Sequence, residues 1–325
     1  MIDIRDIEAA AGRLAGVSVR TPLLQNHALD EQVGGKVLIK PECLQVTGSF
    51  KIRGAYNFLS QLTPEEAAKG VVAFSSGNHA QGVAAAGSLL GIKTAIVMPE
   101  DAPRAKLENT RRLGGEVITY DRYTGDREAL ARQIAAERGA VVVPSYDHDF
   151  IIAGQGTVGL EITEQCAEIG VEPEHVLVCC GGGGLIAGSA TALKARWPNV
   201  SVHTVEPEGF DDTARSLLSG ERESIDGSAH SICDALQAHS PGRLTFEINK
   251  RLLDTGLVVS DDEVREAIRF AFRNLKLVAE PGGAVALAAV LSGKIDAQGK
   301  TTVVVISGGN VDGEMFAEIQ REASG

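Results

Sequence analysis

Short runs of β-branched and apolar residues recur along the chain, separated by longer stretches in which apolar positions return every three or four residues. The runs are VVAF (71–74), TAIVMP (94–99), EVITY (116–120), AVVVPSY (140–146), HVLVCC (175–180), SVHTVEP (201–207), GLVVS (256–260) and TTVVVIS (301–307). Near-continuous Val and Ile suits strands covered on both faces, and strands alternating with helices predict parallel sheets of the α/β class. Helix ends are marked as well. Thr63 and Glu66 form a capping box, with Pro64 at the first helical position and Gly70 as the stop. Ser260 and Glu263 form a second box, followed by one apolar face made of Val264, Ile268, Ala271, Phe272 and Leu275. No repeat, proline-rich linker or low-complexity tract divides the chain. The strand–helix units between about 70 and 147 predict a small inserted domain (66–147), carried by a larger one built from 1–65 and 148–325.

With 325 residues, 44% of them hydrophobic, the chain can bury two sizeable cores. Asp and Glu (43) outnumber Lys and Arg (31), giving a formal charge of -12. That balance argues against a nucleic-acid backbone or an anionic membrane as partner, so an anionic substrate has to be met locally. Five cysteines without a Cys-x-x-Cys pair fit a reducing compartment and read as small buried hydrophobes. The opening MIDIRDIEAA has no apolar signal region, and no apolar stretch reaches spanning length, which predicts a cytoplasmic enzyme.

Three loops of small residues follow strand runs, where open α/β sheets place their ligands. SSGNHAQG (75–82) leads into a helical pattern, GGGGLIAG (181–188) follows HVLVCC, and SGGN (307–310) follows TTVVVI. Successive glycines let a backbone approach a phosphate and surround it with N–H groups, with a helix N-terminus behind. The loop at 181–188 lacks the Gly-Lys-Ser/Thr ending of a P-loop. Glu206, after the next strand run, keeps a dinucleotide reading open, but that reading leaves one lysine unexplained. Lys51, in GSFKIRGA (48–55), stands between Phe50 and Ile52, partly sheltered by its neighbours. A sheltered lysine beside a phosphate cradle is what pyridoxal 5'-phosphate requires.

GSFKIRGA, SSGNHAQG, GGGGLIAG and SGGN, in that order, resemble the fold-type II pyridoxal-phosphate enzymes, and within them the threonine/serine dehydratase and serine racemase family. The likeness runs from RTPL (20–23) through KPECLQVTGSFKIRGAYN, MPEDAP and IAGQGT to the last strand run. It implies a two-lobed fold like the tryptophan synthase β subunit, with parallel twisted sheets flanked by helices. Lys51 then corresponds to the Schiff-base lysine that also removes the substrate Cα proton. Gly181, Gly182, Gly183 and Gly184 correspond to the phosphate loop, Asn78 to the partner of the cofactor's phenolic oxygen, Phe50 to the aromatic beside its ring, and Ser307 to the residue facing the pyridine nitrogen. Ser75, Ser76, Gly77 and His79 lie on the loop that takes the substrate carboxylate in relatives. EPEGFDD (206–212) matches the divalent-cation site of the racemase branch. Its ligands would be Glu206, the Phe210 carbonyl and Asp212, an all-oxygen set suited to Mg²⁺ or Ca²⁺.

The resemblance implies an ammonia-lyase that converts L-threonine or L-serine to a 2-oxo acid and ammonia, as a homodimer or homotetramer. Ser76 stands where serine racemases carry serine and dehydratases often carry alanine, so racemase activity stays open, because racemisation needs a second acid/base group. The stretch often reading Ala-Asp-Gly-Val in the family is CDALQAHSPG (233–242) here. Arg127 matches an arginine that can reach a second carboxylate, and with His239 it could favour 3-hydroxyaspartate. The chain runs only one helical pattern past its last strand run, which predicts the short catabolic layout without a C-terminal regulatory domain.

Overall fold

The computed structural model describes residues 1–321, except Ser76, Pro103, Arg122 and Gly227. Among these residues ten strands form two sheets. They are β1 (Leu24–Gln25), β2 (Lys36–Pro41), β3 (Val71–Phe74), β4 (Thr94–Pro99), β5 (Glu116–Tyr120), β6 (Val141–Val142), β7 (His175–Cys179), β8 (Ser201–Pro207), β9 (Thr255–Val259) and β10 (Thr301–Ile306). The larger sheet has the order β1-β2-β10-β7-β8-β9 and is parallel except for the antiparallel edge strand β1. The smaller sheet, β5-β4-β3-β6, is parallel throughout. Helices flank both sheets, as their two-sided apolar character requires. No helix among the described residues is long and apolar enough to cross a membrane.

The run patterns place most strands to within a residue, with four differences, the first being the two-residue edge strand β1, which no β-branched run marks. β2 was not anticipated because Lys36 and Lys40 interrupt its apolar letters; Lys40 is nevertheless fully buried, its ammonium satisfied by Glu161, Gln165 and the Thr21 carbonyl. The run expected over 140–146 is a strand only at Val141–Val142. Beyond it Pro144 has no N–H for a ladder, and the chain turns instead. Both capping boxes form as expected. The helix opened by Ser260, however, widens at Ala271–Leu275 into one π-helical turn. The wider turn moves later residues off the apolar face, and Phe272 is left 45% exposed, edge-on to Phe316 at 5.4 Å.

Two glycine-lined contacts fix the scaffold behind the loops. The helix Asp149–Glu168 and the helix Gly184–Arg196 meet backbone to backbone. A Cβ on Gly188 would lie 2.6 Å from the Gly156 nitrogen, and one on Gly159 would lie 2.5 Å from the Ser189 carbonyl oxygen. The helix Lys51–Leu59 places Ile52, Ala55, Phe58 and Leu59 in the core beneath the smaller sheet. Each of the larger of these side chains contributes about 1.5–3 kcal/mol on burial, so the direction of Lys51 is set by packing.

Candidate active site

Lys51 opens its helix and reaches into the cleft between the two sheets. Its Nζ donates a hydrogen bond of 2.9 Å to the Ser145 carbonyl and lies 5.2 Å from the centroid of the Phe50 ring. The turn that ends β6 early therefore delivers the acceptor for this amine. Burial pushes the Lys51 ammonium down to about 8, only partly opposed by the charges of Cys179 and Glu280. Such an amine is neutral in an appreciable fraction near physiological pH, as a nucleophile or base must be.

The loop after β7 has the backbone geometry that a phosphate cradle needs. Gly183 has φ 92°, open to glycine but strained for other residues, and a Cβ there would sit 2.9 Å from the Asn249 side-chain nitrogen. A Cβ on Gly182 would run into the Tyr146 ring. The Thr245 hydroxyl donates to the Gly182 carbonyl at 2.7 Å, so that oxygen already has a partner. Behind it starts the helix Gly184–Arg196, whose first N–H groups have no acceptor within the helix. Both polar atoms of the buried Asn249 amide also lack a partner. These groups fit a bound phosphate: free amide donors, a helix N-terminus, and an unpaired side-chain amide beside Gly183.

The third loop is stitched onto the Lys51 turn. Phe50 donates its backbone N–H to the Ser307 carbonyl at 3.1 Å, Gly309 donates to the Gly48 carbonyl at 2.9 Å, and Ser49 bridges Gly308. Ser307 is 5% exposed and lies beside Cys179, whose thiol burial pushes up to about 11 against the opposing pull of the Ser307 hydroxyl. Phe50, Lys51, Cys179 and Ser307 are thus one cluster.

Asn78 heads the helix Asn78–Leu90 and is clamped from both ends. Its Nδ2 donates to Glu280 at 2.5 Å, and its Oδ1 accepts from Asn310 Nδ2 at 2.7 Å. Asn310 also donates to the Thr47 carbonyl at 2.9 Å. Glu280 is buried, and desolvation followed by the charge of Asp234 lifts its carboxyl to about 7, against the pull of Asn78, Lys106 and Lys51. Neither Glu280 nor Asn310 was anticipated as a site residue.

Ser75 and Gly77 form the turn before this helix, with the Ser75 hydroxyl accepting from the Gly77 N–H at 3.1 Å. Ser76 lies outside the described residues. His79 is buried 3.3 Å from the Val143 carbonyl, and burial, reinforced by the Lys51 charge, lowers it to about 3. Its imidazole is neutral, with Nε2 carrying the proton toward that carbonyl. Arg127 is exposed at the start of the helix Arg127–Arg138, its guanidinium 5.9 Å from the centroid of Phe74, next to Ser75.

The carboxylate group at the end of β8 and the turn beyond it is a separate centre, joined to the glycine loop through Cys180, whose sulfur lies 3.3 Å from the Thr213 hydroxyl. Glu206 accepts from the Thr213 and Ala214 N–H groups at 3.0 and 2.7 Å and caps the helix Asp212–Ser219. Both oxygens of buried Asp212 have no partner. Burial, with the Asp211 charge adding, lifts Asp212 to about 7, and burial beside Asp212 pushes Glu206 well above its ordinary range. Among the described residues no three His, Cys, Asp or Glu side chains gather. Two orphaned buried carboxylate oxygens beside a second carboxylate still fit a hard cation completed by a main-chain carbonyl and water.

The chain is similar to known proteins over nearly its whole length. The chain is 43% identical over 314 residues to an L-threo-3-hydroxyaspartate ammonia-lyase of Pseudomonas sp., covering 97% of each protein. It is 43% identical over 319 residues to an L-threonine ammonia-lyase of Thermotoga maritima, covering 98% of this chain and 78% of that one. The structure of maize serine racemase superimposes with a TM-score of 0.92 at 38% identity, covering 99% of this chain and 97% of that one. Residues 15–308 match the family described as pyridoxal-phosphate dependent enzymes, and the chain belongs to that family.

Proposed function

We propose that the protein is a hydroxy-amino-acid ammonia-lyase that converts L-threonine or L-serine to the corresponding 2-oxo acid and ammonia. The observation that carries this reading is Lys51, an amine lowered to about 8, in one cleft with a glycine phosphate cradle and an uncharged Ser307. Pyridoxal phosphate, when bound, supplies the aldehyde that takes the substrate amino group and the ring that withdraws electrons from Cα. The amides of Gly181–Gly184 and the Asn249 side chain would hold its phosphate, Asn78 its phenolic oxygen, Phe50 one face of its ring, and Ser307 its nitrogen. A hydroxyl at Ser307 supplies no negative charge to stabilise a protonated ring nitrogen, which favours expulsion of a β-leaving group over a long-lived carbanion.

Lys51 removes the Cα proton, with the Ser145 carbonyl holding the amine in register. The turn at Ser75 and Gly77, with neutral His79, receives the substrate carboxylate. Loss of the β-hydroxyl as water, then hydrolysis of the carbon–nitrogen bond, gives the 2-oxo acid and ammonia. Ser76 is the candidate second acid/base group on the opposite face of Cα, and on it rests the serine racemase alternative. The 3-hydroxyaspartate alternative rests on Arg127, whose place over Phe74 would let it meet a second carboxylate. A cytoplasmic homodimer or homotetramer is the setting the family resemblance implies.

Release of 2-oxo acid from L-threonine, L-serine and L-threo-3-hydroxyaspartate, measured side by side with D-serine formation, tests the reading. Threonine and serine are expected to lead. Hydroxyaspartate in the lead would transfer the role to Arg127, D-serine outpacing pyruvate would transfer it to Ser76, and no turnover of any of the three would end the proposal.

We further propose that Glu206, Asp212 and the Phe210 carbonyl hold Mg²⁺ or Ca²⁺. A cation that binds only the folded state raises its stability by linkage. The melting temperature is therefore expected to fall on adding chelator, and Asp212→Ala should remove that response. An unchanged melting temperature of the wild type with chelator would refute the site.

A further inference from the structure

Lys106 and Asp234 approach each other from the two sides of the cleft. Lys106 lies on the helix Arg104–Arg112, which follows β4 of the smaller sheet. Asp234 opens the short turn Asp234–Leu236, in the segment between β8 and β9 of the larger sheet. Nζ and Oδ2 are 2.6 Å apart although 128 residues separate them in sequence. The Lys106 side chain is only 13% exposed, against 54% for Asp234.

Each partner rests on a loop of the site. A Cβ on Gly77 would find the Lys106 ammonium 3.9 Å away, so this cation stands beside the turn proposed to take the substrate carboxylate. Leu236, two residues from Asp234, packs within 3.4 Å of a Cβ placed on Gly181 and within 3.1 Å of one on Gly282. The ion pair therefore ties the substrate turn to the cofactor loop. Both charges are also felt at Glu280, the clamp on Asn78.

We propose that Lys106 and Asp234 form an electrostatic clasp across the cleft that positions the turn at Ser75, Gly77 and His79 for the incoming carboxylate. This rests on the lyase reading and assigns Lys106 as a positioning residue that acts through the turn. When only part of the free protein holds the binding-competent arrangement, apparent affinity falls by that fraction, while saturating substrate restores it. Losing the clasp should thus raise KM and spare kcat. A partly exposed pair is also screened by salt.

The test is a double-mutant cycle of Lys106→Gln and Asp234→Asn, with Lys106→Arg as the conservative variant. Each single loss is expected to raise KM for the best substrate about three- to tenfold with kcat within about twofold, and the double variant should be no worse than either single one. Wild-type KM should rise with ionic strength, the neutralised variants should lose that response, and Lys106→Arg should keep most of the affinity. Independently of turnover, hydrogen exchange at the start of the helix Asn78–Leu90 and in the turn Asp234–Leu236 should quicken in both single variants and not further in the double. Additive effects, or a response to Lys106→Gln without one to Asp234→Asn, would overturn the clasp. If the wild type turns over no hydroxy amino acid, the lyase reading fails, and the exchange cycle still decides for or against the clasp.

Discussion

Lys51→Ala is expected to fold, to retain no protein-bound absorption band once added pyridoxal phosphate has been removed by gel filtration, and to lose at least about 10⁴-fold in 2-oxo acid release. One amine is asked both to capture the cofactor and to move the Cα proton, so its removal deletes two functions together. The side chain is partly buried and its ammonium is disfavoured there, lowered to about 8, so alanine leaves no unpaired buried charge and the melting temperature of the cofactor-free protein should change little. The pH dependence has a definite sign. Capture needs the neutral amine, so the rate of cofactor uptake by the wild type should rise with pH up to about 8 and then level off. Retention of the band and of activity in Lys51→Ala would assign both functions to another residue.

Arg53→Met should produce the largest loss of stability. Arg53 is fully buried two residues beyond Lys51 and bridges Glu42 and Glu161. Its Nε and Nη2 donate to Glu42 at 2.7 and 2.8 Å, and its Nη1 and Nη2 donate to Glu161 at 2.7 and 2.9 Å. Lys40 shares Glu161 at 2.5 Å, and Thr21 donates to Glu42 at 2.7 Å. Removing the guanidinium leaves Glu42 charged in the interior with much of its compensation gone, a change that costs about 3–5 kcal/mol when one partner of a buried pair is deleted. A fall in melting temperature of several degrees in calorimetry is expected, with Arg53→Lys recovering little because an ammonium cannot span both carboxylates. The sign of the acid response follows from Glu42. Its carboxyl is held below the usual range by Arg53 despite burial, so its contribution is complete above about 4.5 and is lost as pH falls through the lower folded value. A melting temperature for Arg53→Met within a degree of the wild type would show the cluster to be energetically idle.

Much of the site left its mark in the sequence because it is made of backbone. A loop that brings its backbone close to a neighbour needs residues without side chains, so Gly181–Gly184 stand out as letters, and parallel strands need unbroken Val and Ile. Lys51 became conspicuous only beside those loops. Glu280 and Asp234 left no such mark. Glu280 sits in an ordinary AEPGG stretch and gains its meaning from Asn78, 202 residues away, while Asp234 gains its meaning from Lys106, 128 residues away. Side-chain pairs of that separation have no periodicity to read. The same reason hid β2: Lys40 looks like a surface residue until Glu161 is folded against it.

The glycine-lined seam between the helices Asp149–Glu168 and Gly184–Arg196 bears on how such a protein can diversify. The Gly156–Gly188 and Gly159–Ser189 contacts leave no volume for even a methyl group, so the wall behind the glycine loop is closed to substitution at these positions. New substrate preferences must then arise away from this seam, in the turns that follow β3 and β4 of the smaller sheet and in the exposed segment around Asp234. The buried seam preserves the scaffold, and the exposed turns are free to vary in what they admit.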